Sequence, residues 1–87
     1  MKPSDYIRNG WCQHATAETL GGFPTDSNDP EACKWCIYGA FKASGNGSID
    51  AESWSKLKAH TGPPIAWNDA PGRTQADVIA ALEAVGL

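Results

Sequence analysis

The eight residues Trp67-Asn68-Asp69-Ala70-Pro71-Gly72-Arg73-Thr74 carry the densest chemistry in the chain: an indole, an amide, a carboxylate, a guanidinium and a hydroxyl. Pro71 and Gly72 force a turn between them. Arg73 stands just before the start of a strongly signalled helix. Free backbone N–H groups and the helix dipole favour an anion there, and the guanidinium adds a bidentate donor. Asn68 and Asp69 suit hydroxyls or ring nitrogens, and Trp67 with Trp11 or Trp35 offers a face for a planar ring. The chemistry expected of this set is the binding of a small anionic, nucleotide-like ligand. Its contacts would be Trp35, Trp67, Asn68, Asp69, Arg73 and Thr74, with Gln13 and His14 as accessory residues. The same residues also satisfy a purely structural turn, with Asp69 in an Asx turn paired to Arg73, Asn68 on loop backbone and Trp67 in the core. The sequence leaves both readings open.

Three other constellations carry less. Cys12, His14, Cys33 and Cys36 are zinc-ligand types, and Cys33-x-x-Cys36 has a ligand-like spacing. Yet both members of that pair fall on the core face of an expected amphipathic helix, where buried reduced Cys is common. The expectation is structural thiols and no metal. A thiol paired with His14 or His60 would make a nucleophile, but Cys36 is placed in mid-helix and no oxyanion-type loop adjoins either Cys12 or Cys36, so no catalytic residue is assigned. Asn46-Gly47-Ser48-Ile49-Asp50 matches the middle of an EF-hand loop, but that register puts Lys42 and Ser53 where the first and last acidic ligands belong. No cofactor is expected.

The elements that must position the Trp67–Thr74 stretch follow from caps and periodicity. Pro3 and Ser4 begin a short helical segment over 3–12, with Tyr6, Ile7, Gly10 and Trp11 at helical spacing. Residues 13–29 read as irregular, with a turn or two of helix between Ala15 and Leu20. Gly21-Gly22-Phe23-Pro24 breaks it, and a polar turn cluster follows. Asp29-Pro30-Glu31 is a helix-start pattern, which predicts a helix over about 30–43 with Cys33, Cys36, Ile37 and Ala40 on one buried face. Gly39 inside it implies close approach by another helix or a large ring. Asp50 is expected to cap a helix over about 51–60 with Trp54 and Leu57 facing inward, ended by Gly62-Pro63-Pro64. Ile65-Ala66-Trp67 reads as a short extended piece. Thr74 with Asp77 three residues on resembles a capping box and opens a final helix over about 75–85, whose apolar stripe is Val78, Ile79, Leu82 and Val85. The predicted fold is all-α: one domain over 1–87, of three to four short helices joined by long ordered loops.

Composition bounds the partners. A chain of 87 residues makes one small domain with a modest core, to which four Trp, two Tyr and two Phe contribute heavily. Hydrophobic content of 41% with 20% charged residues is that of a folded chain. The net charge of −3 and scattered basic residues argue against a nucleic-acid polymer as partner. No apolar run approaches the roughly 20 residues of a membrane span, and the N-terminus lacks a signal peptide's apolar core. No membrane partner and a cytoplasmic location are therefore expected. Three Cys is an odd number for a disulfide framework. The oligomeric state is left open.

Three stretches together carry a resemblance: Gly10-Trp11-Cys12-Gln13, Trp35-Cys36-Ile37-Tyr38-Gly39-Ala40, and Trp67 to Thr74 with the helix after it. Over roughly residues 9–85 the chain resembles a small uncharacterised family, a domain of unknown function of actinobacteria and their phages. Members carry a Trp-Cys-Gln-Gly-Ala-like, a Trp-Cys-x-x-Gly-Ala and a Trp-Asn-Asp-x-x-Gly-Arg-Thr segment in this order. The chain departs from that pattern in having His14 where Gly is usual, and in a shorter N-terminal helix. The resemblance implies a phage-type origin and brings no assigned chemistry. The leading expectation is a non-enzymatic binder that sequesters a nucleotide-like signal to counter host defence. The alternatives are a compact protein-binding module, such as a phage inhibitor of a host protein, and a small thiol hydrolase.

Overall fold

In the computed structural model, which describes residues 1–87, the chain runs α1 (Pro3–Asn9), β1 (Ala17–Glu18), β2 (Pro24–Thr25), β3 (Lys34–Trp35), α2 (Ile37–Ser44), α3 (Ala51–Thr61), α4 (Pro64–Asn68) and α5 (Gln75–Ala84). The all-α expectation is thus corrected. Five helices share the domain with a three-stranded antiparallel sheet in the order β2-β1-β3. Ala17 is the hinge of its register, paired with Thr25 on one side and Trp35 on the other. A parallel bridge between Trp11 and Trp35 extends the pairing beyond β3. Each strand is only two residues long, too short for alternation of polar and apolar residues to show in the sequence. The helix expected between Ala15 and Leu20 is the place where β1 lies.

The largest displacement is at Asp29-Pro30-Glu31. The carboxylate of Asp29 accepts from Glu31 N–H at 2.8 Å, which closes an Asx turn instead of capping a helix. The chain then stays extended because its backbone groups are claimed by neighbours. Cys33 N–H donates to Glu18 O at 2.9 Å, Trp35 N–H to Gly10 O at 3.0 Å, and Cys36 N–H to Thr16 O at 3.1 Å. Tertiary pairing thus overrides a local start signal. The helix begins at Ile37, and Cys36 becomes its N-cap, its Sγ accepting from Gly39 N–H at 3.3 Å. Cys36, Ile37 and Ala40 are buried as expected, while Cys33 lies outside the helix and is half-buried. A Cβ on Gly39 would sit 1.9 Å from the carbonyl oxygen of Thr16. The close approach foreseen at Gly39 is therefore by loop backbone, not by a helix or ring.

The remaining elements hold closer to expectation. α1 starts at Pro3 but ends at Asn9, leaving Gly10 and Trp11 to the sheet-like pairing. α3 carries Leu57 fully buried, and Trp54 meets Phe41 and Tyr38 edge-on at ring-centroid distances of 5.0 and 5.8 Å. Ile65-Ala66-Trp67, expected to be extended, is helical within α4, which Pro64 opens at its first turn. Thr74 caps α5: its hydroxyl accepts from Asp77 N–H and the Asp77 carboxylate accepts from Thr74 N–H, both at 3.1 Å. The core is built from Ile7, Ile37, Leu57, Val78 and Leu82, all with no exposed surface. α1 is tied to the far end of the chain through Ser4, whose hydroxyl donates to Leu87 O at 2.7 Å.

Candidate functional site

Asn68, the last residue of α4, has no exposed surface and uses every polar atom of its side chain. Its Oδ1 accepts from Trp11 Nε1 at 2.8 Å and from Ile37 N–H at 3.1 Å. Its Nδ2 donates to Cys12 O at 3.2 Å and to Asp69 Oδ1 at 2.9 Å. One amide therefore joins the loop after α1, the first turn of α2 and the end of α4. Gln13 closes the same junction from the other side, with Nε2 donating to Asn68 O at 2.9 Å and Ala70 O at 3.1 Å. Pro71 and Gly72 make the expected turn, with Gly72 at φ 82.

Arg73 does not pair with Asp69. Its Nε donates to Trp67 O at 2.9 Å, and its guanidinium lies 4.0 Å from the centre of the Trp67 ring. That stack is a cation–π contact between two half-buried side chains. The anion seat expected at α5 is also altered, because the Asp77 carboxylate of the capping box already brings negative charge to its first turn. Trp35 is buried away from the loop: its indole N–H donates to Ser27 O at 2.9 Å and its ring meets Tyr6 edge-on. Of the expected contacts, Trp35, Trp67, Asn68, Arg73, Thr74 and Gln13 thus have structural partners.

Asp69 and His14 differ. They line a cleft of about 230 Å³ together with Ala15, Thr16, Cys36, Tyr38 and Ile65. His14 N–H donates to Asp69 Oδ1 at 3.0 Å, so this carboxylate oxygen holds two donors, His14 N–H and Asn68 Nδ2. The other oxygen, Oδ2, has only His14 Nδ1 nearby, at 3.8 Å, beyond hydrogen-bond reach. His14 adopts φ 67, the left-handed region that favours glycine. His14 thus brings an exposed imidazole to the cleft on a backbone that glycine would adopt more readily. Thr16, Tyr38 and Ile65 were not foreseen as site residues. None of the three carries a local signal, since only the fold, through α2, α4 and the loop before β1, brings them to the cleft.

The thiols are poor nucleophiles here. Burial pushes the Cys36 thiol up, and burial together with neighbouring Cys36 and carboxylates pushes Cys12 up to about 12. Cys12 Sγ donates to Ala15 O at 3.5 Å and Cys36 Sγ accepts from Gly39 N–H, so neither bonds to an imidazole. No helix is long and apolar enough to cross a membrane.

Residues 4–86 match the model of the Family of unknown function (DUF6197), and the chain belongs to that family. No curated protein and no solved structure matches it.

Proposed function

We propose that this DUF6197 member is a non-enzymatic binding domain that takes one ring-sized group of a small ligand in the cleft between Asp69, His14, Tyr38 and Ile65. The observation behind this reading is the free Asp69 Oδ2: a carboxylate oriented by two donors on one oxygen, its other oxygen turned loose beside an aromatic ring and an exposed isoleucine. Such a group accepts from an N–H or amino edge, and the neighbouring side chains receive the flat apolar faces of the same ring. At about 230 Å³ the cleft is smaller than the roughly 300–1,000 Å³ of pockets that enclose drug-sized molecules, so it suits a base-like portion only. The ligand class is nucleotide-like through its heterocycle. Because Arg73 stacks on Trp67, an anionic portion of the ligand lies outside the cleft and contributes little. Binding without conversion fits a site whose thiol is protonated and unpaired with a base. Sequestration of a cytoplasmic signal by a phage-type protein is the biological role in keeping with that chemistry and with the resemblance.

The test is a thermal-shift and calorimetric screen of nucleobases, nucleosides and their phosphates. A ligand at about 100 times its dissociation constant raises stability by about 2.7 kcal/mol. Nucleoside and nucleotide are expected to bind with similar affinity. Asp69→Asn keeps an acceptor for His14 N–H and Asn68 Nδ2 but places an amino group at the free position, and should weaken binding about ten- to a hundredfold. The absence of any shift across the panel, or equal affinity of the Asp69→Asn variant, overturns the proposal.

A further inference from the structure

The loop between β1 and β2 carries two of the most exposed large apolar side chains of the molecule, Leu20 at 87% and Phe23 at 71%. They do not hang on a loose segment. Thr19 N–H donates to Phe23 O at 3.0 Å and Gly22 N–H to Thr19 O at 2.9 Å, so the tip is a closed hairpin with Gly22 at φ 83. A Cβ on Gly21 would lie 3.0 Å from Phe23 Cε2, so the ring leans over the Gly21 backbone. Thr19, Leu20 and Gly21 share a shallow depression with Glu31. Across the hairpin Glu18 pairs in register with Pro24, and Asp26 follows β2.

The charge beside this tip is negative at Glu31, while Glu18 stands in register with Lys34 on β3. Between Arg8 and Lys34 the chain has four carboxylates, Glu18, Asp26, Asp29 and Glu31, and no Lys or Arg. With a net charge of −3 for the whole chain, this segment accounts for all of the excess negative charge. An apolar anchor set in an acidic rim selects its partner by sign. A second copy of the hairpin would bring like charges together, and an anionic lipid surface would repel the rim. The sheet edge here, β2, begins with Pro24, which has no N–H to donate to an added strand.

From these features we infer that the β1–β2 hairpin is a docking tip for another protein, one that presents an apolar recess flanked by Lys or Arg. Leu20 and Phe23 fill the recess, Glu31 beside them faces the flanking cations, and Asp26, Asp29 and Glu31, with no cation between them in the chain, set the sign of the approach. The hairpin tip shares no residue with the Asp69 cleft, so the two inferences stand or fall separately.

The test uses two synthetic helical-hairpin peptides that present the same leucine-lined groove, one with lysine and one with glutamate on its flanks. Binding is followed by backbone NMR shifts of the full chain. The lysine peptide should shift the amides of Thr19 to Phe23 and of Glu31, and bind at least about tenfold tighter than the glutamate peptide. Leu20→Ser with Phe23→Ser should cut that affinity at least about tenfold at an unchanged melting temperature. Equal binding of both peptides, shifts that map elsewhere, or undiminished binding by the double variant overturns the inference. Concentration-dependent dimerisation that requires Leu20 and Phe23 assigns the tip to self-association and also overturns it, as does tighter binding to phosphatidylcholine vesicles than to the lysine peptide.

Discussion

Around Asn68 a polar side chain is wholly buried with every donor and acceptor used, whereas at the β1–β2 hairpin two large apolar side chains stand in solvent on an ordered turn. Polarity and burial are inverted between the two regions. At Asn68 the cause is topological. The loop after α1, the first turn of α2 and the end of α4 meet there, and one amide serves two backbone groups, Ile37 N–H and Cys12 O, together with the indole N–H of Trp11. At the hairpin, two-residue strands leave the tip beyond the reach of the core. The comparison teaches that a dense polar stretch can be the fold's own fastening, while the surface left for recognition is found where the chemistry looks dull.

The strongest way to break this comparison is Asn68→Ala. Trp11 Nε1, Ile37 N–H and Cys12 O would lose their partner inside the protein, and each such group costs about 1–3 kcal/mol when left unpaired. A loss of more than about 3 kcal/mol is expected, read from the urea midpoint or as failure to fold. A loss below about 1 kcal/mol would show that water replaces the amide and that the junction is not a fastening.

This also marks how far the sequence reaches. The Thr74 capping box, the turn at Pro71-Gly72 and the burial of Val78 and Leu82 in the last helix are local in cause, so they are legible in residue types and spacing, whereas Ala81 is buried in addition and Ile79 and Val85 are only half-buried. Helix starts that compete with tertiary pairing are not. Asp29-Pro30-Glu31 has the composition of a cap, but its outcome depends on Glu18, Gly10 and Thr16, distant in sequence, claiming the backbone from Cys33 to Cys36. The three-stranded sheet was invisible for the same reason, since two-residue strands have no pattern of their own. In the candidate site, Asp69 and His14 line the cleft, which forms where α4 and the loop after α1 meet. Nothing in the sequence says that the guanidinium of Arg73 turns back onto Trp67, six residues earlier.

Arg73→Ala sharpens that distinction at a smaller scale. It removes a partly exposed cation–π contact and one hydrogen bond to Trp67 O, together about 1–2 kcal/mol. Thermal stability should fall accordingly while affinity for any ligand of the Asp69 cleft stays the same. Loss of affinity at unchanged stability would return Arg73 to the site and make the Trp67 stack a resting position.

The smallest effect is expected at the hairpin. Leu20→Ser combined with Phe23→Ser should change stability by no more than about 0.5 kcal/mol, because both side chains are mostly in solvent and substitutions away from packing are usually near neutral. The unfolded chain exposes both side chains as well, so little is gained or lost in that reference state. The Phe23 ring over Gly21 is lost, but the hydrogen bonds that close the turn are made by backbone groups which the substitutions keep. Urea unfolding of the double variant beside the parent measures this directly. A loss above about 1 kcal/mol would mean that the ring holds the hairpin in place, so that the tip belongs with Asn68 among the structural parts of the molecule. A neutral result leaves an apolar pair on a rigid acidic turn that folding does not require, which is the property a recognition surface must have.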